Sequence, residues 1–199
     1  MNNSNRSRLL TDKEIDMARL VFSDGIDYTR VKVCRGIPMM PALKVAMVPN
    51  GNIYFPPDDS PCDFTASKEY YQIWLMHEIT HVWQYQMGYR TWLGGMMLSV
   101  KGGYINRKSY AYPPPAEVKS FSGLNMEQQA DFVAHYYAAR YLKWPAYLPN
   151  LPHYERVLAP LLRNPRQTSL LPAYSNNLPW FGWAKDLSEA VKKKFAKHP

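Results

Sequence analysis

The chain has 199 residues, 46% hydrophobic and 20% charged, with a formal net charge of +8. That length fits a single domain over residues 1–199 with a sizeable core, and the absence of any apolar run of membrane-spanning length argues against a transmembrane segment. Two cysteines, Cys34 and Cys62, are too few for a disulfide framework; they read as free, with at most one bridge in an oxidising compartment.

Residues 1–10 are polar and basic, and no apolar stretch follows, so a cleaved secretory signal is not expected. Thr11 and Glu14 form a capping box that opens a helix, with Ile15, Ala18, Val21 and Phe22 at apolar positions and Gly25 at the exit. Asp27 to Cys34 alternates in part and predicts a strand carrying Val31 and Val33. Pro38 and Pro41 bracket a short loop. Val45–Val48 and Asn52–Phe55 flank Pro49-Asn50-Gly51, and Asn-Gly between apolar runs predicts a hairpin. Ile53-Tyr54-Phe55 could be the sheet edge that holds an extended substrate, or an ordinary internal strand.

Ser67 is placed to cap a helix running to Met87 and ended by Gly88. That helix contains His77-Glu78-Ile79-Thr80-His81, an H-E-x-x-H sequence. Residues i and i+4 share a helix face, so the two imidazoles can converge on one metal ion. Glu78 beside them can take a proton from a metal-bound water. The flanks Tyr70, Tyr71, Ile73, Trp74, Leu75, Met76, Val82, Trp83 and Tyr85 make the helix apolar nearly all round, hence buried. Buried histidines and a glutamate need partners, and a metal satisfies all three; a self-satisfied structural histidine pair is the bland alternative.

Residues 89–124 are broken by Gly94-Gly95, Gly102-Gly103 and Pro113-Pro114-Pro115, and could form a wall or lid over such a site. Asn125 then caps a second helix running to about Leu142, with Gln128 as its capping-box partner. Glu127 and Asp131 lie four apart on one face. Glu127 could supply a third metal ligand, and Asp131 could accept the free ring N–H of a ligand histidine; a solvated acidic face is the alternative. Ala130, Ala134 and Ala138 suit close packing on another helix. His135 lies two turns beyond Glu127 and is a candidate transition-state stabiliser, although a lone helix histidine is more often packed. Beyond Trp144-Pro145 short helical pieces are expected near Tyr154–Leu162 and Leu187–Ala196. Lys185, Lys192, Lys193, Lys194 and Lys197 make a basic C-terminal tail. No zinc-finger spacing or RNA-binding motif accompanies the charge, so nucleic acid is not an expected partner.

H-E-x-x-H on one helix and E-x-x-x-D on a later one resembles the gluzincin arrangement of thermolysin-like metallopeptidases. No H-x-x-G-x-x-H extension follows His81, which disfavours the metzincin branch. More narrowly, "HEITHVWQYQ", "NMEQQADFVAHYYAARY" and "VPNGNIYFPP" are similar to the metallopeptidase toxin domain of some type VI secretion spike (VgrG) proteins and to stand-alone Vgr-related proteins. The resemblance covers roughly residues 44–143. It implies an α+β zincin-like domain, with a small antiparallel sheet packed on the active-site helix and a second ligand-bearing helix. It implies Zn2+ held by His77, His81 and Glu127, with Glu78 as general base. It further implies an antibacterial effector without a signal peptide, made in the cytoplasm, delivered by type VI secretion and acting on a peptide or protein in the target periplasm. A spike or chaperone and a cognate immunity protein would be its partners. A non-catalytic, metal-stabilised binding module is the alternative, and imidazole and carboxylate ligands also suit ions other than zinc.

Overall fold

A computed structural model describes residues 7–36, 45–93 and 109–173. The expected loop at Pro38 and Pro41, the Gly94-to-Gly103 segment, the Leu187–Ala196 helix and the basic tail lie outside the described residues. The fold is α+β: a three-stranded sheet beside a set of helices.

Strand β1 (Ser7–Leu9) leads into helix α1 (Asp12–Phe22), whose start is set by the capping box: Thr11 accepts from the Glu14 backbone and Glu14 reaches back to the Thr11 backbone. The helix ends at Ser23, which takes a positive φ of 44°. Gly25 therefore does not form the exit. It is needed two residues on, where a Cβ would stand 2.6 Å from the Pro165 side chain. The expected strand from Asp27 begins later. Asp27 accepts from Thr29 and starts a short 3-10 turn at Tyr28–Arg30, so β2 covers Lys32–Arg35 only.

Strand β3 (Ile53–Phe55) corrects the expectation of an antiparallel sheet. β1 pairs antiparallel with β2, but β2 pairs parallel with β3, Val33 opposite Ile53 and Arg35 opposite Phe55. The connection between Arg35 and Ile53 is long enough for the crossover that parallel pairing needs, about a dozen residues or more. The predicted hairpin survives as one antiparallel bridge, Met47 to Tyr54, with backbone bonds of 3.1 and 2.9 Å. Gly51 supplies the positive φ of its turn and packs against the Tyr85 ring. β3 is thus the outer strand of the sheet, but Met47 already engages its far side at Tyr54.

Helix α2 (Glu69–Gln86) is the central element. Ser67 does not cap it, because its hydroxyl donates to the Asp63 carbonyl; Lys68 stands at the N-cap without a side-chain bond. Gly88, at φ 97°, lies just past its end. Ten consecutive residues, Leu75 through Gln84, are buried. Phe22, Phe55 and Phe64 are fully buried, and the rings of Phe22 and Phe55 pack on the indoles of Trp83 and Trp74 respectively. Helix α3 (Met126–Arg140) packs along α2, and its Ala130, Ala134 and Ala138 are buried, as small residues at a close helix contact should be. Helix α4 (Leu151–Arg163) covers α3 with Tyr154, Val157, Leu158 and Leu161. Among the described residues no helix is long and apolar enough to cross a membrane.

Candidate metal centre

The site lies where α2 and α3 cross. His77, His81 and Gln84 fall at i, i+4 and i+7 of α2, one face of a helix. Glu127 and Asp131, at i and i+4, form the opposing face of α3. Both halves of the Asn125–Gln128 capping box are present, so the first turn of α3 is held rigidly where Glu127 projects.

Three ligand atoms converge. His81 Nε2 stands 3.1 Å from His77 Nε2 and 3.2 Å from Glu127 Oε2, and His77 Nε2 lies 3.3 Å from that same oxygen. The opposite ring nitrogens are committed elsewhere. His77 Nδ1 is 2.8 Å from Asp131 Oδ1, and His81 Nδ1 is 2.8 Å from Gln84 Oε1. A carboxylate and an amide oxygen only accept, so in each neutral ring Nδ1 carries the proton and Nε2 presents its lone pair. Two imidazole lone pairs and a carboxylate oxygen then face one another within 3.3 Å in a buried site. Without a cation or a proton between them this arrangement is repulsive. Bonds of about 2.0–2.1 Å to a tetrahedral ion would set ligand atoms about 3.3 Å apart, so these residues fit a metal. His77, His81 and Glu127 are the candidate triad among the described residues.

The electrostatics agree with that geometry. Desolvation would lower the His77 pKa, but the Asp131 and Glu127 hydrogen bonds override it and hold the ring well above its ordinary value. His81 is likewise raised, Glu127 outweighing burial. Glu127 is held far below the usual carboxylate range: burial opposes this, and His81 and His77 prevail. The triad attracts positive charge from whatever source.

Glu78 is buried on α2 and its Oε2 has no hydrogen-bond partner among the described residues. Burial pushes its carboxyl up, against the pull of His77 and His81 and a hydrogen bond with Trp74. A buried, unpartnered carboxylate oxygen is costly and rare, and it calls for a ligand or a chemical role. His135 sits apart from the triad: Tyr112 Oη lies 2.5 Å from its Nδ1 and its ring stacks on Tyr147 at 4.2 Å. Tyr110 instead approaches His77, with ring centroids 6.1 Å apart.

Sequence reasoning overlooked Gln84 as the partner of His81. Its i+3 spacing from His81 on a buried helix was the available signal. It also overlooked Gln129, which meets Gln84 across the helix pair at 3.0 Å. Nothing in the pattern of α3 distinguished Gln129 from a solvated residue.

No family model matches the chain. It is 34% identical over 135 residues to the type VI secretion system spike protein VgrG2b of Pseudomonas aeruginosa, a stretch that is 65% of this chain and 13% of that protein. The chain therefore spans only a small part of that relative's length. Among solved structures, the effector domain of Pseudomonas aeruginosa VgrG2b superposes with a TM-score of 0.62 at 29% identity, covering 79% of this chain and 85% of that one. The chain is thus related in sequence and in fold to a spike-protein effector domain.

Proposed function

We propose that this protein is a zinc metallopeptidase of gluzincin type, and that it serves as a type VI secretion effector acting on a peptide or protein in the periplasm of a target cell. The observation that carries the hydrolytic reading is the pairing of a convergent lone-pair triad with a buried Glu78 Oε2 that has no partner among the described residues. A purely structural metal site uses the histidines and Glu127 but has no need of a buried, uncompensated Glu78. The effector role rests on the likeness to the VgrG2b effector domain. Delivery on a spike or by a chaperone, and neutralisation by an immunity protein, belong to the same proposal.

His77 Nε2, His81 Nε2 and Glu127 Oε2 would hold the ion. Zinc bound there would polarise the scissile carbonyl and acidify the attacking water. Glu78 would serve as general base, taking a proton from the attacking water at Oε2 and handing it to the leaving amine nitrogen. Burial favours the protonated form of Glu78, which suits a carboxylate that must carry a proton between two steps. Asp131 holds the His77 ring in its donating tautomer and strengthens its lone pair.

The test is Glu78→Ala, expressed in the periplasm of a Gram-negative host beside the wild type, with metal content measured on both purified proteins. Wild type should bind one zinc per chain and be toxic. The variant should keep zinc and lose toxicity, with hydrolysis of a peptide library down by about 10²–10⁴-fold. A fully toxic Glu78→Ala protein would sink the peptidase reading and leave a metal-stabilised binding module in its place.

A further inference from the structure

We infer that Gln84 and Gln129 form a buried amide relay that sets the tautomer of His81, so that Gln129 is a positioning residue for a metal it does not touch. The inference deepens the proposed zinc site and rests on that reading.

The relay is directional, and its direction is fixed at the far end. Gln129 Nε2 donates to two backbone carbonyls, Phe121 O at 2.8 Å and Leu170 O at 2.9 Å. A backbone carbonyl can only accept, so both amide hydrogens of Gln129 are spent there and its amide cannot flip. Its Oε1 is thereby turned towards Gln84 and accepts from Gln84 Nε2 at 3.0 Å. The second Gln84 amide hydrogen goes to another obligate acceptor, Met126 O, at 3.1 Å. Gln84 Oε1 is left facing His81 Nδ1 at 2.8 Å and requires a proton there. The Nε2 lone pair is then forced towards His77 and Glu127. Reversing any one amide would put N–H against N–H or oxygen against oxygen in a site where both glutamines are fully buried. The two ligand histidines are therefore oriented by different means: His77 by a carboxylate, His81 by neutral amides anchored on the backbone around Phe121 and Leu170.

Two measurements test this. In metal-free wild-type protein with ¹⁵N-labelled histidine, at a pH where the ring is neutral, His81 should show a protonated Nδ1 and a bare Nε2. A protonated Nε2 would overturn the relay. Zinc affinity, measured by competition with a chromophoric chelator, should fall about 10–100-fold in Gln84→Met and about tenfold in Gln129→Leu. The double variant should bind no more weakly than Gln84→Met, because Gln129 acts only through Gln84. Wild-type affinity in Gln129→Leu, or additive losses in the double variant, would overturn the inference. If Gln129→Leu fails to fold, the tautomer measurement decides alone. If wild type binds no zinc, the zinc reading fails, and the histidine spectrum still decides whether the relay exists.

Discussion

Among the described residues two clusters of buried charge stand out, and they are built in opposite ways. In the first, Glu14 of α1 is fully buried and all its demands are met. Oε2 accepts from Arg8 at 2.7 Å and the Thr11 backbone at 2.9 Å; Oε1 accepts from Arg8 at 2.8 Å and the Phe64 backbone at 2.9 Å. This carboxylate ties β1, α1 and the loop before α2 into one unit. In the second, on α2 and α3, acceptors face acceptors and Glu78 Oε2 has no partner among the described residues. A folded chain tolerates buried charge in two circumstances: it is satisfied internally, or it awaits something the chain itself does not supply. The first cluster is architecture and the second is a binding site. The distinction comes from counting donors against acceptors, since burial and charge are much the same in both.

The largest effect that separates the two should come from Glu127→Ala. It removes the only anionic ligand of the triad, and zinc affinity measured by chelator competition should fall by more than about 100-fold, beyond the loss expected from an outer hydrogen-bond partner. A variant that retained wild-type affinity would show that the third ligand lies elsewhere. The converse change, Arg8→Met, strips the paired donor from Glu14 and leaves a buried carboxylate short of partners. It should cost about 2–3 kcal/mol, discounted because Arg8 is partly exposed, and lower the melting temperature by about 4–10 °C. Zinc affinity should be unchanged. If Arg8→Met weakened zinc binding as much as it weakened the fold, the two clusters would not be independent. A smaller loss, about 1–2 kcal/mol, is expected for Gly25→Ala, whose new methyl would collide with Pro165 and the Phe22 carbonyl. That loss also should leave the metal site intact, and denaturant unfolding in chelator measures it directly.

Gly25 shows where the sequence could be read and where it could not. Both ligand helices were legible, because i, i+4 spacing is local: His77 and His81 on α2 and Glu127 and Asp131 on α3 fall on facing sides, and the Asn125–Gln128 capping box marks the start of α3 as the Thr11–Glu14 box marks that of α1. Gly25 looked like a helix stop, and only the fold brings Pro165, far along the chain, against it. The parallel pairing of β2 with β3 is likewise non-local, and a strong Asn-Gly signal pointed to a hairpin that closes as a single bridge. Ser67 had the right chemistry for a cap, but Asp63 lies within reach and takes its hydroxyl. The partner of His77 could be named because Asp131 repeats the helical spacing of Glu127. The far end of the His81 support could not, because it ends on the carbonyls of Phe121 and Leu170, which carry no side-chain signature.

The subtlest difference between the clusters concerns sign. In metal-free protein, His77, His81 and Glu78 all have raised pKa values: for the histidines, nearby carboxylates prevail over burial, and for Glu78, burial itself prevails. A group whose folded value is raised binds its proton more tightly folded than unfolded. Its stabilisation is complete below the unfolded value and is lost as pH rises through the folded one. For the histidines that window opens near their unperturbed value of about 6.5 and extends upward. Glu127 is shifted the other way, and its contribution is lost only under acid conditions below the ordinary carboxylate range. From about pH 6.5 upward the metal-free protein should therefore lose stability as pH rises. With zinc present the slope should reverse, because binding needs deprotonated ligands and strengthens with pH. Melting temperatures across that range, in chelator and in excess zinc, read the two slopes directly. Parallel slopes would mean that the triad does not exchange protons for metal. Arg8→Met should shift both curves downward and leave their opposed slopes intact, because the Glu14 cluster is satisfied by donors from the chain itself.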